Sequence, residues 1–256
     1  MEIGKCHLCG KIKELKKSHI WPQFAYKRFA SNPAKGGQFA DLTKQQLNNE
    51  QYTSFWFCHE CEQILGKTED YAARLCSKIE ADPKKDHAYD ERLLRFAVSI
   101  SWRTLKYHTP GTHNRAVENK WEAAGIWKRY LRMSAPRIKS YTQHIFNVID
   151  NPFGLEKMLG GALVREQSLV LSQIGPLLIV GHLKPQDLSA EEQITWRNSK
   201  VLSTGGSISP IREWKTGTKD PAANNITIRF TALLKSHELN VIDLASSGNW
   251  TGRARK

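Results

Sequence analysis

The sequence predicts an α+β fold on three observations. Two CxxC pairs, Cys6/Cys9 and Cys58/Cys61, bracket a polar N-terminal stretch; apolar residues then recur at helical spacing as far as Leu131; and short continuous apolar runs follow Pro136. The expected architecture is an N-terminal metal-bound unit followed by a mixed helical and β body.

Taken in order, Gly10 follows the first CxxC, where a residue without Cβ lets the chain turn so that backbone N–H groups face the sulfurs. Residues 11–20 alternate loosely and predict a short hairpin, ended by Pro22. Residues 31–50, rich in Asn, Gly, Gln and Lys, read as a long exposed loop. From Cys58 onward Cys61, Ile64, Leu65, Tyr71, Ala72, Leu75 and Ile79 share one helix face, which puts the second CxxC in the first turn of a helix. Cys76 falls on the same stripe and is expected as a buried core thiol. A knuckle, a hairpin and a helix that supplies the last two ligands is the order of a treble clef.

Asp82-Pro83-Lys84-Lys85 breaks the helix and bounds this unit at residues 1–82. The body, 83–245, opens with Leu93, Leu94, Phe96, Ala97, Val98 and Ile100, which cover most of a helix surface and predict a buried central helix from Glu91 to Tyr107. Thr109-Pro110-Gly111 stops it. Val117, Trp121, Ala124, Trp127 and Leu131 form a second stripe backed by Lys120, Lys128, Arg129 and Arg132, a face that is either plain solvated surface or a phosphate contact. Two buried strands are expected at 169–174 and 177–183 around Gly175-Pro176, with a third at 226–230. The end, 246–256, reads as a basic flexible tail.

Composition narrows the partners. The 256 residues carry a formal net charge of +13, and 40% are apolar, enough for a core. With a pI near 9.6 and a mean hydropathy of −0.52, the expected partner is a polyanion, nucleic acid ahead of a membrane surface. MEIGKCHLCGK has no apolar signal region and no run is long enough to span a bilayer, so a cytoplasmic location is expected. In a reducing compartment CxxC pairs are metal ligands more often than disulfides. Four thiolates complete a tetrahedral shell with no open position, the pattern of structural zinc, with His7 and His59 inside the CxxC loops as alternative ligands.

The chemistry centres on His19. In a treble clef its strand packs beside the first half of the zinc-anchored helix, so an imidazole at the strand's end faces that helix across a groove. Phosphodiester hydrolysis needs a base for water and a divalent cation for the phosphate charge, and an imidazole accepts protons near neutral pH. The structural alternative is that His19 donates to a sulfur or a carbonyl. Glu62 and Glu69 lie two turns apart on nearly one helix face, pointing into the same groove, or else serve the helix dipole and the surface. Arg103, at the edge of the buried helix, is placed to reach a phosphate or to pair with Glu62 or Glu69.

The runs CHLCGKIKELKKSHIWPQF and NNEQYTSFWFCHECEQ resemble the HNH (ββα-metal, His-Me finger) endonucleases of the four-cysteine zinc type, over about the first third of the chain. The resemblance implies that His19 is the general base and that Cys6, Cys9, Cys58 and Cys61 hold zinc. It implies an asparagine that orients the base, for which Asn49 is the candidate beside Asn48. The family's final histidine, a ligand of the catalytic metal, is replaced here by Glu62, a carboxylate suited to Mg2+ or Mn2+. The reading is a metal-dependent nuclease, with DNA favoured over RNA only by the resemblance. A non-catalytic zinc module that binds nucleic acid or protein is the runner-up, and redox chemistry at a CxxC a third reading. A protein partner or self-association stays open.

Overall fold

The first CxxC occupies the turn of a hairpin. In the computed structural model, which describes residues 2–30, 39–41, 46–109, 121–133, 137–138, 140–149, 158–164, 169–183, 201–202 and 204–208, strand β1 (Glu2–Lys5) pairs antiparallel with β2 (Ile12–His19). The Cys6 N–H donates to the Lys11 carbonyl (2.9 Å) and the Gly10 N–H to the Cys6 carbonyl (2.9 Å), closing the turn. Gly10 has φ +78°, a conformation that costs a residue with a side chain but not glycine.

The expected hairpin within residues 11–20 is therefore corrected. That segment is a single strand, flanked by β1 on one side and by β5 (Thr53–Cys58) on the other. Its middle offers no turn residues, and the chain absorbs the irregularity as a shift of register at Lys16/Lys17 against β5. Helix α1 (Gln23–Ala30) follows Pro22. Helix α2 (His59–Ala81) starts directly after β5, with Cys58 as its N-cap and Cys61 in its first turn, as the periodicity predicts. Cys76 is fully buried on α2, again as expected, and Ile64 instead points outward.

After Asp82, β6 (His87–Tyr89) pairs with β11 (Gly206–Ile208). Asp90 then caps α3 (Glu91–Tyr107) by accepting from the Arg92 N–H at 2.9 Å, and α3 is the buried central helix the pattern predicts. It packs against α4 (Glu122–Leu131) and a six-stranded sheet in the order β4-β3-β8-β9-β10-β7. The sheet comprises β3 (Phe39–Asp41), β4 (Gln46–Asn48), β7 (Gln143–Asn147), β8 (Met158–Val164), β9 (Leu169–Ile174) and β10 (Leu177–His182), antiparallel except for β3 with β8. Every residue of β9 and β10 is buried, as continuous apolar runs imply. The sheet approaches α3 closely through Gly161 and Gly181, where a Cβ would meet Thr104 Cγ2 at 2.5 Å and Ser101 Oγ at 2.7 Å.

The exposed loop expected at 31–50 is corrected in its described part. Residues 39–41 and 46–48 are the last two strands on one side of the six-stranded sheet, β4 at its edge, and the buried Asp41 and Asn48 are satisfied because Asn48 and the Tyr52 hydroxyl both donate to the Asp41 carboxylate. One hydrophobic cluster runs from Cys6 to Ile208, crossing residue 82, and takes in five tryptophans. The strand expected at 226–230, the tail at 246–256, and Val117 and Lys120 lie outside the described residues. The result is a mixed α+β protein, and no described helix is long and apolar enough to cross a membrane.

Candidate functional site

Two elements separated by about fifty residues deliver four sulfurs to one point. Cys6 and Cys9 come from the β1–β2 turn, Cys58 and Cys61 from the β5–α2 junction, and all four Sγ atoms lie within 4.8 Å of one another. Cys9 and Cys58 Sγ are 3.9 Å apart. A disulfide would need about 2.05 Å, whereas a tetrahedron with metal–sulfur bonds of about 2.3 Å has edges of about 3.8 Å. The Cys58 N–H points at Cys6 Sγ (3.4 Å), the kind of donor that supports a thiolate. A hydrogen bond from Cys61 draws Cys6 down to about 4, while burial pushes Cys58 up to about 11. Four thiols this close do not all ionise unless a cation joins them, so the set is built to hold a metal ion.

The two histidines inside the CxxC loops stand apart from the set. His7 stacks on Trp56 (centroids 5.4 Å), and burial holds its imidazole down to about 4. His59 is exposed. Lys13 on β2 and Glu60 on α2 pair at 2.6 Å, a clip across the same junction that holds the Glu60 carboxyl down to about 2.

His19 ends β2, opposite Thr53 of β5. Its Nε2 meets Gln51 Oε1 at 2.8 Å, and its ring lies beside Tyr26 (centroids 5.8 Å). With Gln51 Oε1 accepting, Nε2 carries the proton and Nδ1 is left as the basic nitrogen. The His19 carbonyl accepts from Arg103 Nη1 (3.0 Å), and Arg103 Nη2 donates to Glu69 Oε1 (2.7 Å). This guanidinium, with its side chain 3% exposed, ties α3 to both α2 and the end of β2. The pairing with Glu69 is the one the sequence left open for Arg103.

Glu62, on α2, is half-buried. Desolvation raises its carboxyl above the usual range, with Glu69 adding to the rise, while Ser18, Arg103 and His19 act in the opposite direction. Glu62, Glu69, Ser18, His19 and Arg103 therefore share one electrostatic neighbourhood. Asn49 is exposed and makes no hydrogen bond to His19 among the described residues. Asn48 is taken up by Asp41 (2.7 Å), Tyr52 (3.2 Å) and the Glu50 N–H (2.9 Å). Gln51 and Tyr26 are the neighbours that sequence reading missed. The signal for Gln51 was its position two residues before Thr53, but reading it required the β2–β5 register.

The Tyr52 N–H donates to the Tyr26 hydroxyl (3.1 Å), and Trp21 Nε1 donates to Thr104 Oγ1 (3.2 Å). Together with Arg103 these bonds fix the end of β2 to the body. Among the described residues the four cysteines are the one group of three or more His, Cys, Asp or Glu side chains gathered closely enough to share an ion; His19, Glu62 and Glu69 do not close into a second. No family model, curated protein or solved structure matches this chain.

Proposed function

We propose that the chain is a metal-dependent nuclease, probed first on DNA, whose N-terminal unit is a treble clef of the ββα-metal kind around a structural zinc. The carrying observation is that His19, Glu62 and the Arg103–Glu69 pair share one electrostatic neighbourhood, on the strand and the helix that the four cysteines join. The donor set and the 3.9 Å sulfur separation fit zinc. Cys6, Cys9, Cys58 and Cys61 would hold it with no position left for substrate, and a reducing compartment such as the cytoplasm would preserve the thiols.

In this reading His19 takes a proton from water, the water oxygen attacks phosphorus, and the bond to the leaving oxygen breaks, that oxygen departing as an alcohol with a proton taken from solvent water. Gln51 holds the imidazole by one nitrogen, and the other would take the proton. Arg103 holds the backbone beneath it. A catalytic Mg2+ or Mn2+ would supply charge neutralisation at the phosphate, and Glu62 is its candidate protein ligand. Because His19, Glu62 and Glu69 do not close into an ion site, such an ion would take most of its ligands from substrate and water.

That same feature favours the second reading, a zinc module that binds nucleic acid without cutting it. Cleavage of supercoiled plasmid and of RNA by zinc-loaded wild type and His19→Ala, in Mg2+, Mn2+ or EDTA, separates the two. The nuclease reading expects cation-dependent nicking that His19→Ala loses by at least about a hundredfold. Salt-sensitive binding without cutting by either protein would leave the binding module.

A further inference from the structure

Helix α2 turns two faces to its surroundings, and only one carries Glu62 and Glu69, the carboxylates near His19. Glu62 and Glu69 are seven residues apart, close to two full turns, so they share a side. Tyr71 comes nine residues after Glu62, two and a half turns on, and so lies on the opposite side with Arg74 and Lys78. On that side a depression of about 150 Å³ opens between α2, β6 and the start of α3, lined by Tyr71, Arg74, Leu75, Lys78, Ala88 and Arg92.

Its polar lining is built in one sign. Arg74 and Lys78 are exposed, and neither makes an ion pair among the described residues. Arg92 is held in place: its guanidinium lies over the Tyr71 ring (4.4 Å), it pairs with Asp90, and the Tyr71 hydroxyl accepts from the Asp90 N–H (3.0 Å). Among the described residues no acidic side chain lines the depression; Asp90, Glu91 and Asp70 stand outside it. Three cations with one paired carboxylate leave an excess of positive charge around a recess that can admit an anion. Lys67 extends the stripe one turn toward the helix start, at i−4 from Tyr71.

We propose that this cleft is a phosphate-backbone anchor for duplex nucleic acid, separate from the His19 site. Arg74 and Lys78 are about 6 Å apart along the helix axis, and phosphates of one duplex strand recur about every 3.4 Å of axis, so the two cations face nearby phosphates of one strand. The net charge of +13 supplies the long-range attraction, and the cleft supplies fixed contacts. A backbone segment held there lies on the far side of α2 from His19, so the anchored stretch differs from the one presented to the imidazole. The proposal does not depend on His19 being a base.

The test is anisotropy titration of a fluorescein-labelled 20-base-pair DNA duplex with zinc-loaded full-length chain, without added divalent cation, over a series of salt concentrations. Arg74→Ala/Lys78→Ala is expected to weaken binding and to lower the slope of log affinity against log salt by about 1.8, two contacts at about 0.9 each. Arg129→Ala/Arg132→Ala removes the same charge from α4, where both side chains are exposed, and is expected to change the slope by less than half as much. Because no divalent cation is added, binding is read without cleavage, which keeps failure of the nuclease reading distinct. The proposal is overturned if wild type does not bind the duplex, if the α2 pair leaves affinity and slope unchanged, or if the α4 pair has an equal effect. Zinc content and far-ultraviolet circular dichroism of each variant confirm that the compared proteins are folded.

Discussion

The N-terminal sheet and the six-stranded sheet hold themselves together by different physics. In the first, β1, β2 and β5 leave Ile3, Ile12 and Phe55 in solvent, with Ile3 and Ile12 more than three-quarters exposed, and their fixed points are four sulfurs and the Lys13–Glu60 clip. In the second, β9 and β10 are buried along their whole length, and α3 closes on them through Gly161, Gly181 and the bonds Thr104–Ser172 (2.8 Å) and Ser101–Gln143 (2.7 Å). A sheet with apolar side chains left in solvent draws more of its stability from ligand bonds than a sheet buried on both faces. The candidate site lies where the two regimes meet: His19 ends a strand that begins at the four-cysteine turn, and Arg103 reaches it from the buried helix.

The largest effect expected from that contrast is loss of metal. Structural zinc in small domains contributes about 10–16 kcal/mol of apparent binding free energy. Chelation, or Cys58→Ser, should therefore abolish amide protection in β1, β2 and β5 while β9 and β10 keep theirs, as hydrogen exchange with mass spectrometry would show. Equal loss in both sheets would break the comparison, because it would make the metal a support of the whole fold.

Arg103 tests the junction itself. Removing one partner of a buried ion pair costs about 3–5 kcal/mol, and the low end is expected for Arg103→Ala because the Glu69 side chain keeps 22% exposure. Arg103→Lys keeps the charge but loses the two-pronged donor, so it should recover part of the stability, read from urea midpoints, and little of any cleavage rate. Full recovery of both by lysine would reduce the residue to a counter-charge.

A smaller effect, confined to the body, comes from His108, the C-cap of α3, whose Nε2 lies 2.7 Å from the Gly161 carbonyl. Burial lowers its pKa below the ordinary value. The unfolded chain therefore takes up a proton before the folded protein does, so the associated stability is present above about pH 6.5 and is lost as pH falls through the folded value. His108→Gln should flatten the dependence of the urea midpoint on pH across this range without changing zinc content. The smallest effect is expected from Gln51→Ala, which removes one hydrogen bond from His19: about 0.5–1.5 kcal/mol, or up to roughly tenfold in cleavage rate.

The parts of this arrangement that were legible in the sequence carry strong local signals. CxxC spacing gave the ligand set, a 3.6-residue period gave α2 and α3 with their bounds, and two continuous apolar runs around Gly175-Pro176 gave β9 and β10. What escaped reading depends on partners distant in the chain. β1 is four residues with one apolar side chain, Ile3, and that side chain is exposed, so only its pairing with β2 reveals it. Asp41 and Asn48 look like loop residues because they are polar, yet they are buried by satisfying each other. Gln51 reaches His19 through a register that the bulge at Lys16/Lys17 sets, and no composition or period encodes that shift. The Arg103–Glu69 pair was legible as a possibility because both residues lie on helices of clear phase.

The most direct test of the central claim, that the metal-anchored strand presents His19 to a scissile phosphate, is plasmid nicking by wild type and His19→Ala in samples whose zinc is counted. One zinc per chain in both proteins, with Mg2+- or Mn2+-dependent nicking in wild type that disappears in His19→Ala, is the predicted result. One zinc per chain in both, with equal nicking or none, would contradict it.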